Sequence, residues 1–285
     1  MKQAMLMTLA TMLVLAPAAF AAKLEGTFAM QGAMPKSTGH LLLTQAGSDV
    51  LNQHIDLWLT PPGSSQPFKD YEVEMTKKLH VIIVSDDFKT FLHIHPTLEP
   101  SGHFTITQKF PAPGRYFLFS DGLPGDLDHQ VFRFTLDVGA PTNREPVVPA
   151  TGRAVNIGPY EVDLSQTNLT VGGMDMIDVL VLKNGKPATD LHPYLGAAAH
   201  CVFLNDRDLS YVHVHPMTPG QMSMGKPMYD KYGRMLMPEL PENASISGEM
   251  MLHVMIQEAG TYRLWLQFRG EGDQLYVAEF TMKAE

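Results

Sequence analysis

Apolar residues in this chain come in short runs rich in β-branched and aromatic side chains, among them Leu79–Ser85, Val131–Val138, Tyr262–Phe268 and Tyr276–Met282. Gly, Pro, Asn and Asp interrupt them about every 8–12 residues, the rhythm of antiparallel strands joined by turns. Helical periodicity is scarce. Many runs are apolar at successive positions instead of alternating, which predicts strands packed inward and partly covered outside. The expected fold is all-β, with two tandem Ig-like or cupredoxin-like antiparallel β-sandwich domains.

The tandem arrangement comes from an internal repeat. His80, His93, His95 and Pro96 share their spacing with His200, His213, His215 and Pro216, so H-x12-H-x-H-P occurs twice at an offset of 120. Further on, Ser101-Gly102 through Gly114-Arg-Tyr116 matches Ser247-Gly248 through Gly260-Thr-Tyr262 at an offset of 146. Upstream, Ile55-Asp56 matches Ile177-Asp178. The period is too long for a solenoid. The first domain is expected at 24–140 and the second at 150–285, with the Pro-rich stretch 141–149 as linker.

Residues 1–21 have the pattern of an export signal. Lys2 precedes an apolar stretch over Met5–Leu15, and Ala19-Phe20-Ala21 fits small-x-small cleavage before Ala22. The stretch is too short to span a membrane, so no membrane anchor is expected and the mature chain is placed in the periplasm or outside the cell. Removing Lys2 leaves 20 basic against 30 acidic residues, a formal charge of −10. That argues against nucleic acid or an anionic membrane as partner. Cys201 is the only cysteine, so an intramolecular disulfide is excluded and a core must supply the stability.

The histidine spacing predicts chemistry. If 79–85 and 90–96 form a hairpin whose paired residue numbers sum to 175, Ile82 faces His93 and His80 faces His95. All three imidazoles then share one face, and a one-residue slip would reverse it. Cross-strand neighbours about 4.5–5.5 Å apart let three nitrogens converge on one ion. His200, His213 and His215 follow identically. Three imidazoles with an open position suit Cu(II) or Zn(II), and His129 or Asp121 are candidates to complete the first sphere. Asp86, Asp87, Asp206 and Asp208 read as turn formers at the hairpin tips.

The offsets of 120 and 146 differ by 26, so the second domain carries a 26-residue insertion within 217–246. It contains Met217, Met222, Met224, Met228, Met235 and Met237, with M-x-M spacing at 222–224 and 235–237. Thioether is a soft ligand that favours Cu(I). The competing expectation is an adaptable apolar flap. Met174, Met176, Met250, Met251 and Met255 are expected in the core.

The stretches Leu79–Pro96, Tyr194–His200, Tyr211–Pro216 and Tyr262–Phe268 resemble a family of uncharacterised exported tandem β-sandwich proteins with this histidine repeat. They are also similar in style to YtkA-like and CopC-like periplasmic copper-handling domains. That resemblance implies copper handling. The expected metal is copper, with zinc second, and the expected partner another exported metal-handling protein. It carries no ligand over, because the CopC-type pattern uses a histidine at the mature N-terminus and this chain begins Ala-Lys-Leu there. The expected function is metal sequestration, delivery or resistance. The alternatives are a metal-dependent enzyme using a tri-histidine site, and a partner-binding or adhesion module with structural histidines.

Overall fold

The computed structural model describes residues 27–28, 36–140, 152–223, 228–229, 235–236 and 238–285. The export segment 1–21, the linker 141–149, Met224 and Met237 lie outside the described residues. Met228 and Met235 are described as backbone only, on the paired short strands Met228–Tyr229 and Met235–Leu236.

The chain is a tandem all-β protein, each half a two-sheet sandwich. In the first half one sheet runs in the order Thr27–Phe28, Gln130–Val138, Gly114–Gly122, Leu79–Ser85, Phe91–Ile94. The facing sheet orders Thr38–Gln45, Asn52–Thr60, Phe104–Lys109, Thr97–Leu98. Ile55, Leu57, Val81, Ile83, Leu118 and Phe134 fill the space between them. The second half repeats the plan. Its hairpin sheet orders Asn168–Leu169, Leu275–Ala284, Gly260–Arg269, His200–Asn205, Tyr211–Val214. Ile177, Val179, Cys201, Phe203 and Leu264 belong to its core. Among the described residues no helix is long and apolar enough to cross a membrane.

The hairpin register follows the odd sum. Val81 pairs Ile94 and Ile82 pairs His93, while Cys201 pairs Val214 and Val202 pairs His213. One face of each first hairpin strand therefore enters its own sandwich: Val81 and Ile83, and likewise Cys201 and Phe203. The opposite face carries His80, Ile82 and Val84, and His200, Val202 and Leu204.

Those second faces pack against each other. Ile82, Val84, Phe119 and Val131 join Val202, Leu204, Tyr211 and Trp265 in a third apolar cluster, which is the seam between the domains. This is why the runs are apolar on both faces: what covers each hairpin sheet is the other domain. The contacts across the seam are reciprocal. Phe119 stacks on Tyr211 at 4.8 Å between centroids, and its counterpart Trp265 stacks on Phe91, the counterpart of Tyr211, at 5.2 Å. The seam thus has the self-complementary form of a two-fold interface.

Two local features qualify the sequence expectations. Met174 and Met176 are 56% and 62% exposed, not core. They alternate with buried Ile177 and Val179 along a strand whose other face meets solvent, while Met250 is buried as expected. Gly248 sits where backbones converge: its N–H donates to the Ala188 carbonyl and its carbonyl accepts from the Val181 N–H. A Cβ there would lie 2.1 Å from the Val181 carbonyl oxygen. Gly248→Ala is expected to cost about 1–3 kcal/mol by forcing this approach apart, read as a lower urea midpoint at unchanged m-value.

Candidate metal centre

The seam brings all six repeat histidines together. In the first domain His80 Nδ1 lies 3.1 Å from His93 Nε2, and His95 Nε2 lies 3.3 Å and 3.1 Å from these two atoms. In the second domain His200 Nδ1 lies 3.2 Å from His213 Nε2 and 3.0 Å from His215 Nε2. The two trios adjoin. His200 offers a nitrogen within 4.8 Å of nitrogens of His80 and His93, and that group can hold a metal ion, as can His200, His213 and His215. The sequence pointed to one site per domain; the structure places both in one composite cluster.

Hydrogen bonds at the outer nitrogens fix what the inner ones can be. His80 Nε2 lies 3.0 Å from the Glu74 carbonyl oxygen, and His200 Nε2 lies 3.0 Å from that of Tyr194. A carbonyl only accepts, so each Nε2 carries the hydrogen and each Nδ1 of a neutral ring is bare. His93 Nδ1 lies 3.1 Å from Gln267 Oε1, and His213 Nδ1 faces the Asp121 carboxylate at 3.7 Å. The first places the hydrogen on Nδ1 and bares Nε2 of His93; the second is too long for a hydrogen bond and sets the His213 ring beside the carboxylate. The His80–His93 contact is therefore a pair of facing lone pairs with no hydrogen between them, and His95 Nε2 stands beside both. In a buried site that arrangement is repulsive until a metal ion, or a hydrogen on His95 Nε2, stands between them.

The carbonyls are delivered by matched turns. Glu74 bridges Lys77 and Tyr194 bridges Ala197. Met75, Thr76 and Leu195 take positive φ there, at 45°, 65° and 51°. The side-chain supports cross the seam: Asp121, paired with His80 across the sheet, serves His213, and Gln267, paired with His200, serves His93. Asp121 also accepts from His129 Nδ1 at 2.8 Å, and His129 Nε2 meets the Glu74 carboxylate at 2.8 Å.

Residues 38–140 and 154–285 match the family described as Domain of unknown function (DUF8832). The chain belongs to that family. No curated protein matches it. The two matched segments of this DUF8832 chain carry one histidine trio each.

Electrostatics in the DUF8832 seam favour neutral imidazoles. Burial, then the neighbouring His213, lowers His80 to about 4. Burial, then His80 and Lys77, lowers His95 to about 3. Burial is also the leading cause that holds His93, His200 and His215 well below the ordinary histidine value. His129 behaves oppositely: burial disfavours its charge, but the Asp121 and Glu74 carboxylates prevail and push it up to about 10. Burial alone would raise Asp121, yet the flanking His129 and His213 hold it far below the usual carboxylate range.

Other sequence expectations sort by position. His129 and Asp121 do not join either trio; they stand one layer out, with Asp121 behind His213. The Cys201 side chain enters the sandwich core, and burial pushes its thiol up, away from thiolate chemistry. Asp87 accepts from the Ser85 hydroxyl and Lys89 N–H, and Asp208 from the Ser210 N–H, as turn formers do. In the insertion, Met217 bridges Met251 through backbone, and Met222 lies 39% exposed in the short helix Pro219–Met222. Sequence reasoning missed Gln267, Glu74 and Tyr194 as supports. The signal for Gln267 was present, because it is the counterpart of Asp121 at the offset of 146.

Proposed function

We propose that this is an exported metal-binding protein that takes copper at the six-histidine seam, for sequestration, delivery or resistance. The observation that carries the reading is the convergence of imidazole nitrogens at 3.0–3.3 Å in each trio, with the outer nitrogens of His80, His93 and His200 committed to carbonyl and amide acceptors. Structural histidines would be expected to share hydrogens in pairs; His80 and His93 face one another without one. Imidazole donors suit Cu(II) and Zn(II). The reading of copper over zinc draws on the six methionines of the insertion, soft donors for Cu(I) that follow His215 in the sequence. Export rests on the sequence of residues 1–21. The partner proposed is another exported metal-handling protein that donates or receives the ion.

The test is thermal unfolding of the mature protein with Cu(I), Cu(II) and Zn(II), beside a His213→Ala/His215→Ala variant. An ion that binds only the native state, at 100 times its dissociation constant, adds about 2.7 kcal/mol. Copper is expected to raise the melting temperature of the wild type and not of the variant. A shift with zinc alone would overturn the copper assignment, and no shift with any ion would overturn metal binding.

A further inference from the structure

We propose that the seam holds two ions in one coupled centre and that the ion of the second domain binds first. The proposal rests on the metal-binding reading above and adds its stoichiometry and order.

The count of donors argues for two ions. Six imidazole nitrogens converge, while a four-coordinate ion uses at most four. Within the first trio the nitrogens lie 3.1, 3.3 and 3.1 Å apart, and in the second the two contacts are 3.2 and 3.0 Å. Bonds of 2.0–2.1 Å at tetrahedral angles give an edge of about 3.3 Å, so each trio is spaced as one face of a tetrahedron. Across the trios the ring centroids of His80 and His93 stand 5.1–5.9 Å from those of His200 and His213, against 4.4–5.4 Å within a trio, so the two faces abut. Two ions, each capped by its own trio, would sit side by side, on the order of 4 Å apart as in two-metal sites.

The order comes from a break in the symmetry behind the trios. Behind His213 stands a carboxylate, Asp121, whereas behind His93 stands a neutral amide, Gln267. Asp121 is paired with His129, but the Glu74 carboxylate on the far side of that ring keeps the group net negative. Lys77 adds positive potential near His95 on the other side. The same two carboxylates also act on His80 of the first trio, but only His213 has one directly behind its outer nitrogen, so a cation is favoured first in the trio of the second domain. Outer partners of this kind typically change metal affinity 10–100-fold.

The experiment is a Cu(II) titration of the mature protein, read by native mass spectrometry and electron paramagnetic resonance. Two ions per chain are expected. The first equivalent should give an isolated Cu(II) signal, and the second should broaden or diminish it instead of doubling it. Saturation at one ion per chain would overturn the two-ion centre while leaving metal binding intact, as would a doubled signal of unchanged shape. Failure to bind any ion would overturn the underlying reading itself. His95→Ala, at a half-buried position, is expected to stop at one ion. Asp121→Asn is expected to weaken the first step at least about 10-fold, and Gln267→Glu to strengthen the second, with circular dichroism checking that each variant folds. Equal first-step affinity in Asp121→Asn and wild type would overturn the order.

Discussion

Metal-free protein taken from pH 7 to pH 4 is expected to lose several kcal/mol of stability, enough to unfold it or leave it marginal. His80, with a folded value of about 4 against an ordinary 6.5, binds its proton in the unfolded chain long before it does so in the native one. For a group lowered on folding, the unfolded state holds more protons between the two values, so stability rises with pH through that window and falls on acidification. Each such proton is worth about 1.4 kcal/mol per pH unit, which makes about 3 kcal/mol for His80 alone. His93, His95, His200 and His215 shift in the same direction, and the cluster titrates as a unit. Asp121 adds to the loss once the pH nears its unfolded value, because its lowered carboxylate contributes stability only above that value. His129 has the opposite sign. Raised to about 10, its pairing is fully present below 6.5 and is lost as pH climbs through 10. Calorimetry in chelator at stepped pH should therefore show a maximum near pH 7, with stability falling on both sides. A bound ion occupies the lone pairs and should carry stability to lower pH, until protons displace it. A melting temperature flat from pH 7 to 4 would show that the imidazoles are not held neutral by the seam.

Trp265→Ala is the second large effect. The indole is 2% exposed and stacks on Phe91 at 5.2 Å and Phe88 at 6.1 Å. Removing a buried Trp side chain costs about 3–5 kcal/mol, part of it for the cavity left behind. Here the cavity would open between the two domains. Trp265 shares its strand and face with Gln267, which positions His93. The variant is therefore expected both to lower the urea midpoint and to weaken metal binding. Trp58 offers the comparison: it is sandwiched between His40 and His103 on the sheet facing away from the seam, at 5.0 and 4.6 Å. Trp58→Ala should leave metal affinity untouched. Equal metal affinity in Trp265→Ala and wild type would mean that seam packing does not hold the trios in place.

Much of this was legible in the chain. Period-two reasoning with a repeat places His80, His93 and His95 on one face, because register in a two-sided strand is discrete and only odd sums work. What covers that face was not legible. Ile82 and Val84 read as apolar whether they meet their own domain or another, since burial leaves the same mark on composition in either case. The docking of two domains is set by shape at the seam, through pairs such as Phe119 with Tyr211, and no spacing rule encodes that. The same limit explains why Asp121 read as a possible first-sphere ligand. His129, just before the neighbouring hairpin strand, closes over one Asp121 oxygen, and the docking of the domains sets the other behind His213. Met174 and Met176 were misplaced for a simpler reason: methionine is apolar in composition but tolerates an exposed strand face.

The reciprocal seam has a consequence for how such a centre can be tuned. Two separate copies of one domain, meeting about a true two-fold axis, would have to put the same residue behind both imidazoles: two carboxylates or two amides. Joining the copies in a single polypeptide removes that obligation, because each position is then encoded once. Asp121 and Gln267 use that freedom. Covalent linkage therefore does more than hold the partners at high local concentration; it lets the two ends of the histidine cluster carry different residues behind them.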